Sequence, residues 1–113
     1  MVEESEPYRL ILAPQAVEDL KEIWQSNAVA YGAGWADEYL VFIQFGLESL
    51  TYSPHRGRRV QGQQGLLSLL IQKRPRKEGH IAVYEIAEDS RTVSVLHVFH
   101  TKMNWGWRPR SRS

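Results

Sequence analysis

Residues 79–105 read GHIAVYEIAEDSRTVSVLHVFHTKMNW, two runs of β-branched and aromatic positions separated by the polar Glu88, Asp89 and Ser90. This pattern predicts a β-hairpin with a loop of four or five residues. Symmetric pairing about that turn places His80, Ala82, Tyr84, Ile86, Val93, Val95, His97 and Phe99 on one face. Ile81, Val83, Glu85, Ser94, Leu96, Val98 and His100 fall on the other. Both faces are largely apolar, and a chain of this length has helices for only one. The second face is therefore either a partner surface or a small sheet with some exposed valines.

Upstream, the period changes. YRLIL at residues 8–12 reads as a short strand, and Pro14 suits the first turn of a helix, where its missing N–H does no harm. Ala16, Leu20, Ile23, Trp24, Ala28 and Tyr31 then form one stripe opposite Glu18, Asp19, Lys21, Glu22 and Gln25, which predicts an amphipathic helix ending near Gly32 and Gly34. A second helix begins about Trp35, with Ala36, Tyr39, Leu40, Ile43, Leu47 and Leu50 at helical spacing. Gly46 lies on that stripe, where it would let the two helices approach closely. The short linker allows only an antiparallel helical hairpin. Trp35, Phe42 and Phe45 make a second apolar line, read as core. After Ser53, Pro54 and Gly57 comes a loop bearing Arg56, Arg58 and Arg59; LLSLLIQ (residues 66–72) is a further strand, and KRPRKEG a basic turn. The expected order is β-α-α-β-β-β, an α+β fold.

Composition narrows the chemistry. With 113 residues, 42% of them hydrophobic, the chain fits one domain and one core but no large buried cavity. It contains no cysteine, and the four histidines (His55, His80, His97, His100) lack the spacing of a helical zinc pair, so neither metal nor cofactor is expected. No apolar run approaches the ~20 residues that span a bilayer, and the acidic start is unlike a signal peptide. A reducing, cytoplasmic setting fits. The net charge of +1 conceals a split. Residues 1–50 carry nine acids against Arg9 and Lys21, whereas residues 51–113 carry twelve bases against four acids. The C-terminal half is suited to an acidic partner, or the split is solvated surface charge. GWRPRSRS (residues 106–113) is expected to be a disordered basic tail, following a domain over residues 1–105.

Several segments in this order resemble the RelE/ParE superfamily of bacterial toxins, and its ParE branch in particular. They are YRLILAPQAVEDLKEIW, the ADEY and LESL of the second helix, SPHRGR, GHIAVYEI and VSVLHVFHTKMNW. His100, Lys102, Asn104 and Trp105 look like the ending of ParE-like proteins, with Asn104 in place of the usual aspartate and Met103 where a base is frequent. The resemblance implies a helical hairpin packed on one face of a small, mainly antiparallel sheet. It also implies an antitoxin segment in a groove on the other face. Ile81, Val83, Leu96, Val98 and His100 would line that groove, and Ala82, Tyr84, Ile86, Val93 and Val95 would face the helices.

The resemblance leaves two activities open. Ribonuclease members cleave messenger RNA in the ribosome, which needs a base, an acid and phosphate-binding cations. Such members usually place an arginine where this chain has Ile81, and LLSLLIQ carries no base. A degenerate ribonuclease site would use His100 and Lys102 with Arg74 or Arg76, without metal. His97 and His100, three apart on a strand, point to opposite faces unless a bulge intervenes. ParE members instead inhibit DNA gyrase by binding, which needs a surface rather than a catalytic set. His100, Lys102, Trp105, Trp107 and Arg108 supply aromatic and cationic anchors for one. The leading expectation is a gyrase-poisoning toxin, not an enzyme, assembled with a cognate antitoxin. The alternative is a ribosome-dependent endonuclease acting on messenger RNA.

Overall fold

A computed structural model describes residues 6–73 and 78–102. Its elements are β1 (Arg9–Leu12), α1 (Pro14–Tyr31), α2 (Ala33–Glu48), β2 (Arg58–Arg59), β3 (Leu67–Ile71), β4 (His80–Ala87) and β5 (Thr92–His100). Two short 3-10 turns, Ser49–Thr51 and Pro54–Arg56, lie between α2 and β2. The fold is the expected α+β arrangement with one addition. Arg58 and Arg59, read as loop, pair with Ser68 and Leu67 to make a two-residue edge strand.

The sheet order is β1-β5-β4-β3-β2; β1 runs parallel to β5 and every other pair is antiparallel. A parallel neighbour cannot be reached by a tight turn; the helical hairpin carries the chain from β1 to β2 at the far edge, and β3 and β4 bring it back to β5. Pro14 opens α1, as its fixed φ and missing donor favour. Gly32, at φ 96°, is the single residue separating α1 from α2, a left-handed conformation that glycine adopts without strain. The hairpin then closes through Trp24, whose Nε1–H donates to Asp37 Oδ1 at 2.8 Å.

Ala16 and Leu20 of α1, Tyr39, Ile43 and Leu47 of α2, and Leu50 pack on Leu69, Ile71, Ala82, Tyr84, Val93 and Val95. The five strand residues expected to face the helices do so, Ile86 at the margin of the cluster. Gly46 corrects an expectation: a Cβ there would stand 3.0 Å from Ile71 Cδ1, so its bare backbone admits β3 rather than the other helix. Trp35 and Phe45, read as core, are 41% and 67% exposed. They sit off the Tyr39–Ile43–Leu47 stripe that meets the sheet, and that narrower stripe is enough to cover five short strands.

Register brings the largest correction. Tyr84 pairs with Val95 but Val83 pairs with His97, so Leu96 is an extra residue, a β-bulge. Beyond it the faces of β5 exchange. Val98 pairs with Ala82 and joins the core at 2% exposure, and His100 pairs with His80. Both were expected in the groove; the bulge turns them toward the helices instead. Ile81 and Val83 remain on the far face, now with Phe99 and His97 as partners. His97 and His100 stay on opposite faces. The Val98 N–H, turned away from β4, donates to Asp19 Oδ2 of α1 at 2.9 Å.

Candidate functional site

Where β4 begins and β5 ends, five polar or aromatic side chains converge. The non-hydrogen-bonded strand pair His80–His100, flanked by the Thr101 N–H donating to the Gly79 carbonyl, places two imidazoles side by side, 5.1 Å apart and edge to face. His80 is the inner one. Its Nδ1 lies 2.8 Å from the Tyr39 hydroxyl of α2, and burial drives its pKa down to about 4, with the neighbouring His100 lowering it further. Burial also raises the Tyr39 pKa. The inner pair is therefore a neutral ring against a neutral hydroxyl near pH 7.

His100 is the outer ring. Its Nδ1 accepts the Lys102 backbone N–H at 2.9 Å, so in the neutral ring the proton sits on Nε2, 3.3 Å from Glu78 Oε1. Lys102 Nζ pairs with the other oxygen of the same carboxylate. Lys102 holds the Glu78 pKa below its ordinary value, and Glu78 holds that of Lys102 above its own. The Thr101 side chain fixes the entry to this corner by accepting the Gly79 N–H at 3.1 Å. Gly79 is obligatory there, since a Cβ would stand 2.7 Å from Gln72 Cβ.

Chemically, the corner holds one solvent-facing imidazole, one ammonium and a carboxylate shared between them. The second imidazole is turned inward onto Tyr39, away from any bound substrate. No helix among the described residues is long and apolar enough to cross a membrane. Nor do those residues include three or more His, Cys, Asp or Glu side chains grouped to hold a metal.

The family model for the ParE toxin of the type II toxin-antitoxin system, parDE, matches residues 10–105. The chain belongs to the ParE toxin family. It is a toxin of the type II class, and solved structures agree with the fold. A chromosomal ParDE toxin-antitoxin system from P. aeruginosa superposes with a TM-score of 0.71 at 17% identity, covering 87% of this chain and 100% of that one. The isolated E. coli RelE toxin gives 0.57 at 15% identity, covering 88% and 90%. The RelBE2 toxin-antitoxin complex of Mycobacterium tuberculosis gives 0.54 at 20%, covering 84% and 99%. No curated protein matches the chain in sequence.

In this ParE-family chain, His100 and Lys102 come together as the sequence suggested. Of the five lining residues expected for the antitoxin groove, Ile81 and Val83 lie on the far face, Leu96 is the bulge, Val98 is core and His100 pairs with His80 on the helix side. Arg74, Arg76, Trp105, Trp107, Arg108 and the tail at 106–113 lie outside the described residues. Tyr39, His80 and Glu78 were not anticipated as site residues. Tyr39 and His80 are 41 positions apart, and each reads locally as part of an apolar stripe. Glu78 did carry a signal: it is the only acid in an otherwise basic turn, next to a glycine and a strand.

Proposed function

We propose that this toxin arrests growth by binding DNA gyrase so that the broken-DNA intermediate persists, and that a cognate antitoxin silences it. The observation that carries this reading is the engagement of both His100 and Lys102 by Glu78. A ribonuclease needs one group free to take the 2′-hydroxyl proton and another to protonate the leaving oxygen. In this corner the acceptor nitrogen of His100 is occupied by the Lys102 N–H, and the Lys102 charge is neutralised by the carboxylate. Ile81, where ribonuclease members usually carry arginine, offers no phosphate contact. A rigid corner of paired charges is suited to recognition, and Trp105, Trp107 and Arg108, which follow it in sequence, are the side chains that would anchor such an interface.

The antitoxin is proposed to lie on the far face of the sheet. Leu70, 53% exposed and paired with Ile81, offers apolar area there beside the half-buried Leu96, whereas Val83 is itself buried. ParDE and RelBE assemblies each comprise a toxin and an antitoxin, which supports a partner of this kind.

Pulse labelling of DNA and protein synthesis, shortly after the chain is induced without antitoxin, tests the reading. Early collapse of DNA synthesis with translation continuing is the expected result. Early collapse of translation would replace gyrase with the ribosome and messenger RNA, and would return His100 and Lys102 to catalytic candidates.

A further inference from the structure

Beside this corner, the helical hairpin carries a ladder of aromatic rings that runs out of the toxin's core to solvent. Tyr31, at the end of α1, stands 4.7 Å from Trp35 of α2; Trp35 stacks on Tyr39 at 5.2 Å with only 10° between planes; and Tyr39 meets Phe42 at 5.8 Å. The ladder runs from solvent to core: Tyr31 is 64% exposed, Trp35 41% and Tyr39 8%. Lys73 Nζ lies 5.5–6.0 Å from the centroids of the Trp35, Tyr39 and Phe42 rings. Through Tyr39 the ladder joins His80 and then His100, so it is continuous with the proposed target surface.

We infer that the Tyr31–Trp35 end of this ladder is a second contact for the toxin's target, and that it is received by an apolar pocket with basic side chains at its rim on a protein. The inference rests on the gyrase reading and adds the contact that would set affinity. Two observations favour a protein over a nucleic acid. Asp37 and Glu38 stand within one turn of Trp35, and Lys21, the one base of the two helices, lies about 15 Å back along α1 from Tyr31, so the local field of the helices repels phosphates and attracts a basic rim. The nearby cation, Lys73, already lies over the rings, which leaves it poorly placed to pair with a nucleic-acid backbone. Exposed tryptophan and tyrosine held rigid by stacking lose little freedom on binding, the property expected of interface anchors.

Purified DNA gyrase with supercoiled plasmid is the probe, and accumulation of cleaved plasmid is the readout. Trp35→Ala and Tyr31→Ala are each expected to raise the toxin concentration needed by roughly 10- to 30-fold, the loss typical of a truncated anchor. Trp35→Phe, which keeps a stacked ring on Tyr39, is expected to stay within about threefold of the parent. Thermal unfolding of each variant serves as the fold control, and Tyr31→Ala, at a largely exposed position whose ring meets Trp35, keeps the test open if Trp35→Ala is destabilised. Folded Tyr31→Ala and Trp35→Ala proteins that poison gyrase as the parent does would overturn the inference and leave the gyrase reading standing. A parent that leaves gyrase untouched but arrests translation would remove the gyrase reading instead. The ladder would then be judged on translation arrest: undiminished arrest by both variants, or a photoreactive residue at position 31 that links to RNA, would overturn it.

Discussion

The two ends of the β4–β5 hairpin contain nearly the same set of side chains and make different things of them. At the turn, Glu88 accepts the Tyr8 hydroxyl at 2.7 Å and lies 2.9 Å from His55 Nε2, with Arg91 stacked 4.4 Å from the Tyr8 ring. At the open end, Glu78 meets His100 and Lys102, with Tyr39 and His80 close by. Tyrosine, histidine, glutamate and a base occur at both. At the turn all four are at or near the surface, and their contacts tie the chain terminus to the loop. At the open end, the tyrosine and a second histidine are buried behind the charged group, so its geometry is held from within. Exposed ion pairs contribute little to stability, whereas a buried polar pair must stay matched.

Lys102→Glu should have the largest effect, because it sets a second carboxylate against Glu78 and reverses the charge of the proposed target surface. Growth arrest is expected to disappear while circular dichroism and the thermal midpoint stay near those of the parent; undiminished arrest would exclude this corner from target binding. Acid should separate the two ends next. His80 has a folded pKa of about 4 against an ordinary value of 6.5, so the unfolded chain takes up a proton that the folded chain refuses. Stability from this site is complete above pH 6.5 and falls as the pH drops toward 4, by about 3 kcal/mol in all. Denaturant titrations across that window should show this part of the slope vanish in His80→Gln.

Tyr39→Phe leaves His80 Nδ1 buried without its hydroxyl partner and should cost about 1–3 kcal/mol in equilibrium unfolding. The matching change at the turn, His55→Ala, removes an exposed ion pair and should stay within about 0.5 kcal/mol. Equal costs for these two variants would erase the distinction drawn between the ends.

Much of this architecture was legible from periodicity. The 3.6-residue stripe that begins at Ala16, with Pro14 before it and Gly32 after it, located α1 and its end; the runs at residues 8–12, 66–72 and 79–105 located β1, β3 and the hairpin. The bulge was not legible. The straight and the bulged registers each set one histidine and one apolar residue of positions 97–100 on either face, so the pattern does not discriminate between them. For the same reason Val98 and His100 were assigned to the wrong face. Trp35 and Phe45 failed differently: helical spacing shows that residues share a stripe, not how wide a stripe the sheet can cover. His100 and Lys102 were singled out through family likeness, whereas Tyr39, which bonds His80 behind them, was brought in by folding from the middle of a helix.

Asp19 has a consequence beyond the register it stabilises. Among the described residues β1 stops pairing at Leu12 opposite Val95, and the Val98 N–H beyond it meets a helix carboxylate instead of a strand. An unprotected strand margin recruits other chains and seeds insoluble assemblies. By taking the Val98 N–H, a helix carboxylate closes that position with an acceptor that carries negative charge and no further strand to extend. The Val98 N–H is thereby denied to stray strands.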